Sequence, residues 1–311
     1  MSWAGSRTGA EPERAGPRRG IRTAVAALAA LLVAGILAAC ANAAPNEHFE
    51  RRDPDPARFD AGLIVSDDGF YNAGAMTEAQ IAAFLQGLDC QPLDFARCVA
   101  DYWQDTDDQP AGGGPGHCEP YEGADREPAA RIIKKISEAC GISPRVLLVL
   151  MQKEQSLLTK PTMYGYERAT GYGCPDTADC DRQYFGFFNQ LYHAAWQFRQ
   201  YTQEPERTYK IGQVDVGYHP NAECGASAVD IRNQATANLY NYTPYQPNEQ
   251  ALANPDAEGD ACSSWGNFNF WLLWNRWFGD PTTERFPGFL PPCTGLAGGQ
   301  PCRPVPAVPQ G

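Results

Sequence analysis

Glu154 is the residue of this chain best placed, by type and spacing, to move a proton. It stands near the end of the run Gly141-Ile-Ser-Pro-Arg-Val-Leu-Leu-Val-Leu-Met-Gln-Lys-Glu154. Ser143 can cap a helix and Pro144 suits its first position. Val146 to Met151 are consecutive apolar residues, so a helix buried on nearly all sides is expected. Counting back from Glu154 by three, four and seven gives Met151, Leu150 and Leu147. The carboxyl is therefore expected above an apolar stripe, where burial disfavours its charged form and keeps the acid protonated. Such an acid can protonate the leaving oxygen of a glycosidic bond. The competing reading is a glutamate beside Lys153 that merely surfaces at a helix end.

Glu167, Asp176, Asp179 and Asp181 lie just downstream and are candidates for the second acid that most glycosidases need. The run from Cys174 to Asp181 also reads as a solvated disulfide loop. It lacks the alternating ligands and central glycine of a calcium loop. Tyr172 and Tyr184, on Gly-containing segments, could stack against sugar rings. Gln190, Tyr240 and Asn241 carry groups able to orient an N-acetyl sugar, and each could equally be a buried hydrogen-bonding residue. The histidines are scattered, and His193 falls at helical spacing, so none is assigned as a base. With no C-x-x-C, H-E-x-x-H or G-x-S-x-G pattern, neither a metal nor a cofactor is expected, and a serine hydrolase has no support.

The Glu154 segment resembles the start of the catalytic domain of soluble lytic transglycosylases and goose-type lysozymes. Gly141, Ile142, Pro144, Leu147, Leu148 and Glu154 match without a gap. The resemblance implies that Glu154 is the catalytic acid; Gln155 replaces the serine usual after it. Gly186-Phe-Phe-Asn-Gln190 echoes that family's Gly-Leu-Met-Gln, one residue longer, and Leu239-Tyr-Asn-Tyr242 faintly echoes its Ala-Tyr-Asn-Ala-Gly. From Gly62 to Gly279 the chain is similar to exported bacterial proteins sometimes labelled hemagglutinin. Those share Ile64-Val-Ser-Asp-Asp-Gly-Phe-Tyr71, Gln152-Lys-Glu-Gln155, Gly171-Tyr-Gly-Cys-Pro-Asp176 and Tyr242-Thr-Pro-Tyr-Gln-Pro-Asn248. The resemblances imply a lysozyme-like fold. They also imply either cleavage of the peptidoglycan MurNAc–GlcNAc bond, hydrolytic or transglycosylating, or non-catalytic binding of a cell-surface glycan or protein.

Several elements must position these groups. Met76 to Gly87 reads as a capped helix, and Ala129, Ile132, Ile133, Ile136 and Cys140 recur at helical spacing directly before the Glu154 helix. Tyr184 to Tyr201, Ala235 to Tyr242 and Trp265 to Phe278 continue the helical pattern, the last with an aromatic stripe through Trp271, Trp274 and Trp277. Leu63 to Val65 and Val229 to Ile231 are at best short strands, and residues 202–225 read as loop-rich. A mainly α single domain with minor β content is expected over residues 61–280.

The ends and the cysteines bound the setting. Arginines, including Arg18-Arg19, precede an uncharged apolar run from Thr23 to Ala39, the pattern of a signal peptide over residues 1–40. Leu37-Ala-Ala-Cys40 reads as a lipobox with Cys40 lipidated, and Ala41-Asn-Ala43 offers an ordinary cleavage site instead. Residues 41–60 read as a linker and 281–311 as a Pro/Gly-rich tail. Of 11 cysteines, setting Cys40 aside leaves ten, an even set that reads as five disulfides in an exported protein. Nearest-neighbour pairing would join Cys90 to Cys98, Cys118 to Cys140, Cys174 to Cys180, Cys224 to Cys262 and Cys293 to Cys302, although spacing alone fixes no connectivity. A net charge of −12 argues against nucleic acid and against electrostatic docking on anionic lipid. The expected partner is peptidoglycan or another cell-surface glycan, with membrane contact only through the lipid, and the chain is expected to be a monomer.

Overall fold

Burial of the Glu154 helix organises everything around it. The computed structural model describes residues 54–285, apart from 113–116, 176–177, 205 and 257–258. In chain order the helices are α1 (Asp67–Phe70), α2 (Glu78–Gln86), α3 (Ala129–Cys140), α4 (Pro144–Gln155), α5 (Met163–Glu167), α6 (Phe187–Gln203), α7 (Gln234–Tyr242), α8 (Glu249–Ala253) and α9 (Gly266–Phe278). The strands form two antiparallel pairs, β1 (Trp103–Thr106) with β2 (Ala124–Pro128) and β3 (Gly212–Gly217) with β4 (Ala226–Ile231). The expectation of a mainly α fold with minor β content is met.

The helix starts obey local chemistry. Thr77 and Gln80 close a reciprocal capping box on α2, and Ser143 caps α4 with Pro144 at its first position. Between α3 and α4 the chain reverses at Gly141, whose φ of +64° lies in the left-handed region that a side chain would strain. Val146 through Met151 are all wholly buried, because α4 packs against α9 on one side and α3 on another. At ~25 cal/mol per Å2 of apolar surface, each such side chain contributes about 1.5–3 kcal/mol relative to exposure.

Four disulfides, Cys90–Cys98, Cys118–Cys140, Cys174–Cys180 and Cys224–Cys262, join nearest neighbours in sequence. Cys293, Cys302 and Cys40 lie outside the described residues.

One expectation is corrected. Leu63 to Val65 is irregular with bends at Ile64 and Val65, because Ile64 gives its N–H to the Thr236 hydroxyl at 3.0 Å instead of to a strand. Within the loop-rich residues 202–225, β3 pairs along its whole length with β4. Residues just outside 61–280 also pack against the rest. Phe59 sets its ring edge-on against Phe268 and Trp271, and Arg58 pairs with Asp280 at 2.6 Å. On the far side, Glu284 accepts from Asn72 at 2.8 Å and from Arg145 at 3.1 Å.

The first hairpin rests on a buried carboxylate. The Glu127 side chain is 0% exposed and accepts from Lys135 at 2.6 Å, Thr106 at 2.7 Å and Tyr121 at 2.5 Å. Burial pushes this carboxyl upward in pKa, but those hydrogen bonds outweigh burial and leave it below its usual range.

Candidate functional site around Glu154

Glu154 projects from the last turn of α4, with its side chain 25% exposed. One carboxylate oxygen accepts from the ammonium of Lys153, which is itself only 5% exposed and also donates to the Thr243 hydroxyl at 2.9 Å. Neighbouring residues on a helix do not face each other, so this pair forms because the long lysine stem folds back along α4 toward the end of α7. The expected dry setting is therefore corrected. Met151, Leu150 and Leu147 are wholly buried as predicted, but the carboxylate reaches past them to a cation and to solvent.

The second carboxylate oxygen faces Gly171. A Cβ added there would stand 3.4 Å from it, and the glycine has a φ of +71°, so this position suits glycine on both counts. Tyr242 closes another side. Its phenol donates to the Thr170 carbonyl at 2.9 Å, and burial, followed by the charge of Glu154, holds it well above the usual tyrosine range. It is a neutral donor at every physiological pH.

Gln190 explains how the Gly171 turn is held. Its side-chain oxygen accepts from the backbone N–H of Thr170 and of Tyr172 at 3.2 and 3.1 Å, and its amide nitrogen donates to the carbonyls of Tyr172 and Tyr184 at 2.8 and 2.9 Å. The residue is 0% exposed. With both oxygen and nitrogen engaged, it positions the turn beside Glu154 and does not offer its amide to a sugar.

The remaining candidates separate into two groups. Tyr172 and Tyr184 are half-buried and meet edge-to-face at 4.8 Å, with His193 stacked on Tyr172 at 5.6 Å. Burial, then its tyrosine neighbours, push Tyr172 up to about 12. Burial lowers His193, whose Nδ1 donates to the Asn189 carbonyl at 2.8 Å. Tyr240, in contrast, is a core residue, 0% exposed, donating to the Ala61 carbonyl at 3.0 Å. Asn241 spans the carbonyls of Tyr209 and Ala237. Neither presents its polar group to a ligand.

The acid candidates stand apart from Glu154 in their bonding. Glu167 is exposed and pairs with Arg168 at 2.8 Å. Asp181 is exposed and caps the turn at Gln183, and Asp179 is exposed as well. Asp176 lies outside the described residues. Among the described residues, no group of three His, Cys, Asp or Glu side chains could hold a metal ion. Lys153, Gly171 and Tyr242 have no site role in the sequence reading, although each lies in a motif shared with the exported proteins the chain resembles. Lys153 was otherwise visible as the immediate neighbour of Glu154.

A family model described as LasA, N-terminal domain, matches residues 63–287, which include Glu154 and the whole cluster around it. The chain belongs to this family. LasA is a secreted bacterial staphylolytic peptidase. The family match is to LasA and not to the lytic transglycosylases or goose-type lysozymes that the chain resembles, a resemblance that is specific only around Glu154. No curated protein and no solved structure matches the chain. Among the described residues of this LasA-family domain, no helix is long and apolar enough to cross a membrane.

Proposed function

We propose that this LasA-family chain is an exported enzyme that cleaves the glycan of the bacterial cell wall at its MurNAc–GlcNAc bond, with Glu154 as general acid and then base. One observation carries the reading: Glu154 is a partly open carboxylate in direct hydrogen bond to a nearly buried ammonium, on a helix end fixed by a wholly buried core. A glycan covering that carboxylate removes the water that screens the pair. Loss of water favours the neutral pair, with the proton on Glu154 and ready for the leaving oxygen. Afterwards Glu154 is an ionised base, able to take a proton from water or from the substrate's own hydroxyl. Tyr172 and Tyr184 supply aromatic walls for the sugar. Export follows the leader-like segment, with lipid on Cys40 as the proposed anchor and cleavage before Ala44 as its alternative.

A second reading has its own support, since the Lys153 bond engages Glu154 and the other acids point to different partners. In it, the same surface binds a cell-surface glycan or protein without turnover.

Glu154→Gln distinguishes the two. On purified cell walls, soluble muropeptides released by the variant should fall by on the order of 10²-fold. Anhydro ends in the wild-type products indicate transglycosylation, and reducing ends indicate hydrolysis. Equal release by the two proteins, or release by neither, removes the enzymatic reading and leaves the binding one.

A further inference from the structure

The loop closed by the Cys90–Cys98 disulfide holds large apolar side chains in water. Phe95 is 100% exposed, so it buries nothing within the fold, and Leu93, Met163 and Tyr164 are each more than half exposed. The segment that carries them is nonetheless firmly held. Gln91 and Leu93 donate their N–H groups to the carbonyls of Thr159 and Pro161 at 2.7 and 3.1 Å. The Asp94 carboxylate accepts from the N–H of Met163 at 2.9 Å, and the Tyr166 phenol donates to the Arg97 carbonyl at 2.8 Å. Loop and α5 are thereby latched into one unit. A lone exposed leucine is ordinary on a surface, whereas several large apolar side chains held together mark a contact face.

The rim of this face is amphipathic. Trp103, also partly open, has the guanidiniums of Arg97 and Arg126 at 5.8 and 4.0 Å from its ring centre. Tyr164 has Arg168 over its ring at 3.9 Å. Arg97 and Lys160 are exposed and meet no carboxylate among the described residues. Aromatic rings with a polar edge, apolar tips and long cationic stems are the side chains that settle between headgroups and acyl chains.

We infer that this face docks on a phospholipid bilayer, with Phe95 and Leu93 inserted and Arg97 and Lys160 reaching lipid phosphates. The inference rests on the proposed lipid at Cys40 for bringing a bilayer within reach, and on nothing about Glu154. Residues 41–53 can span at most about 45 Å, comparable to the domain's own width. A domain tethered so closely meets the bilayer with some face, and this one gains most from leaving water. A protein partner fits less well, because its anchors normally fill walled pockets, and Phe95 stands clear of every wall. The net charge of −12 opposes broad electrostatic attraction to lipid, so contact is carried by insertion and confined to this face.

Sedimentation with phosphatidylcholine vesicles tests it, using the oxidised chain without its leader and with Cys40→Ser, so that no acyl chain contributes. This protein should sediment with vesicles at about millimolar lipid. Phe95→Ser should weaken the partition by about tenfold without moving the urea midpoint, since Phe95 is fully exposed. Ile211→Ser, which changes an exposed apolar residue next to β3 instead, should leave the partition unchanged. No sedimentation, or equal losses in the two variants, overturns the inference. Self-association that Phe95→Ser abolishes, with no vesicle binding, also overturns it and makes the face a contact between copies. Intact mass of the native chain reports on the anchor separately. Lipid on Cys40 without vesicle binding by the unlipidated chain leaves the anchor standing and removes the docking face.

Discussion

Two lysine–glutamate pairs in this molecule invert each other. At the first hairpin the carboxylate is buried and the lysine partly open, with side-chain exposures of 0% for Glu127 and 28% for Lys135. At the end of α4 the lysine is buried and the carboxylate open, with 5% for Lys153 and 25% for Glu154. Glu127 accepts from three side chains, joining β1, β2, α3 and the Tyr121 segment. Glu154 has one side-chain donor and a glycine facing its other oxygen. A carboxylate enclosed by donors is a post for the fold. One whose flank is left open to solvent can be reached by a ligand, so the direction of burial, more than the presence of an ion pair, separates the two carboxylates.

The sharpest way to break this contrast is to remove each carboxylate and measure stability by urea unfolding. Glu127→Ala should cost about 3–5 kcal/mol, since it leaves donors of the buried pair without their partner. Glu154→Gln keeps an acceptor for the nearly buried Lys153 ammonium while removing its counter-charge, so a smaller loss of about 1 kcal/mol is expected. Similar losses at the two positions would sink the distinction.

Lys153→Met should have an intermediate effect. It strips the buried ammonium from both Glu154 and Thr243, yet the carboxylate it leaves can still reach water, so a loss of about 1–2 kcal/mol is expected. In the cell-wall assay the same variant should retain less than about a tenth of wild-type release, because the proton source beside Glu154 is gone. Full release by Lys153→Met would show that Glu154 works without it.

The smallest effect is the pH response. Glu127 is held below its usual range in the folded protein, so its contribution is fully present above the unfolded carboxyl value of about 4.3 and is lost as pH falls through the lower folded value. Wild type should therefore lose stability on acidification below about pH 4.3, and Glu127→Gln should show a flatter acid limb. An unchanged acid limb in that variant would assign the loss to other groups.

Much of the scaffold was legible because its signals are local. The cap at Ser143 with Pro144, the apolar run after it, and the Ile132–Ile133–Ile136 spacing each report on a single helix. The hairpins were not. Trp103–Thr106 and Ala124–Pro128 are polar and charged, and they become strands through the distant meeting of Thr106, Tyr121, Glu127 and Lys135. The candidate site divides in the same way. Glu154 was legible from its place on a helix, whereas its bond to Lys153 depends on how a flexible stem folds toward Thr243, 90 residues away in sequence. For Gln190 the sequence left a sugar contact and a buried hydrogen-bonding role side by side, because nothing in it shows that the amide is consumed by the turn holding Gly171.

The nearest-neighbour disulfides bear on how the protein is made. Their sequence separations are 8, 22, 6 and 38, and no loop overlaps another. A chain entering an oxidising compartment from its N-terminus presents each described cysteine's correct partner before the next pair appears. Oxidation in order of arrival gives the native set, with no crossed intermediate to reshuffle and little need of an isomerase.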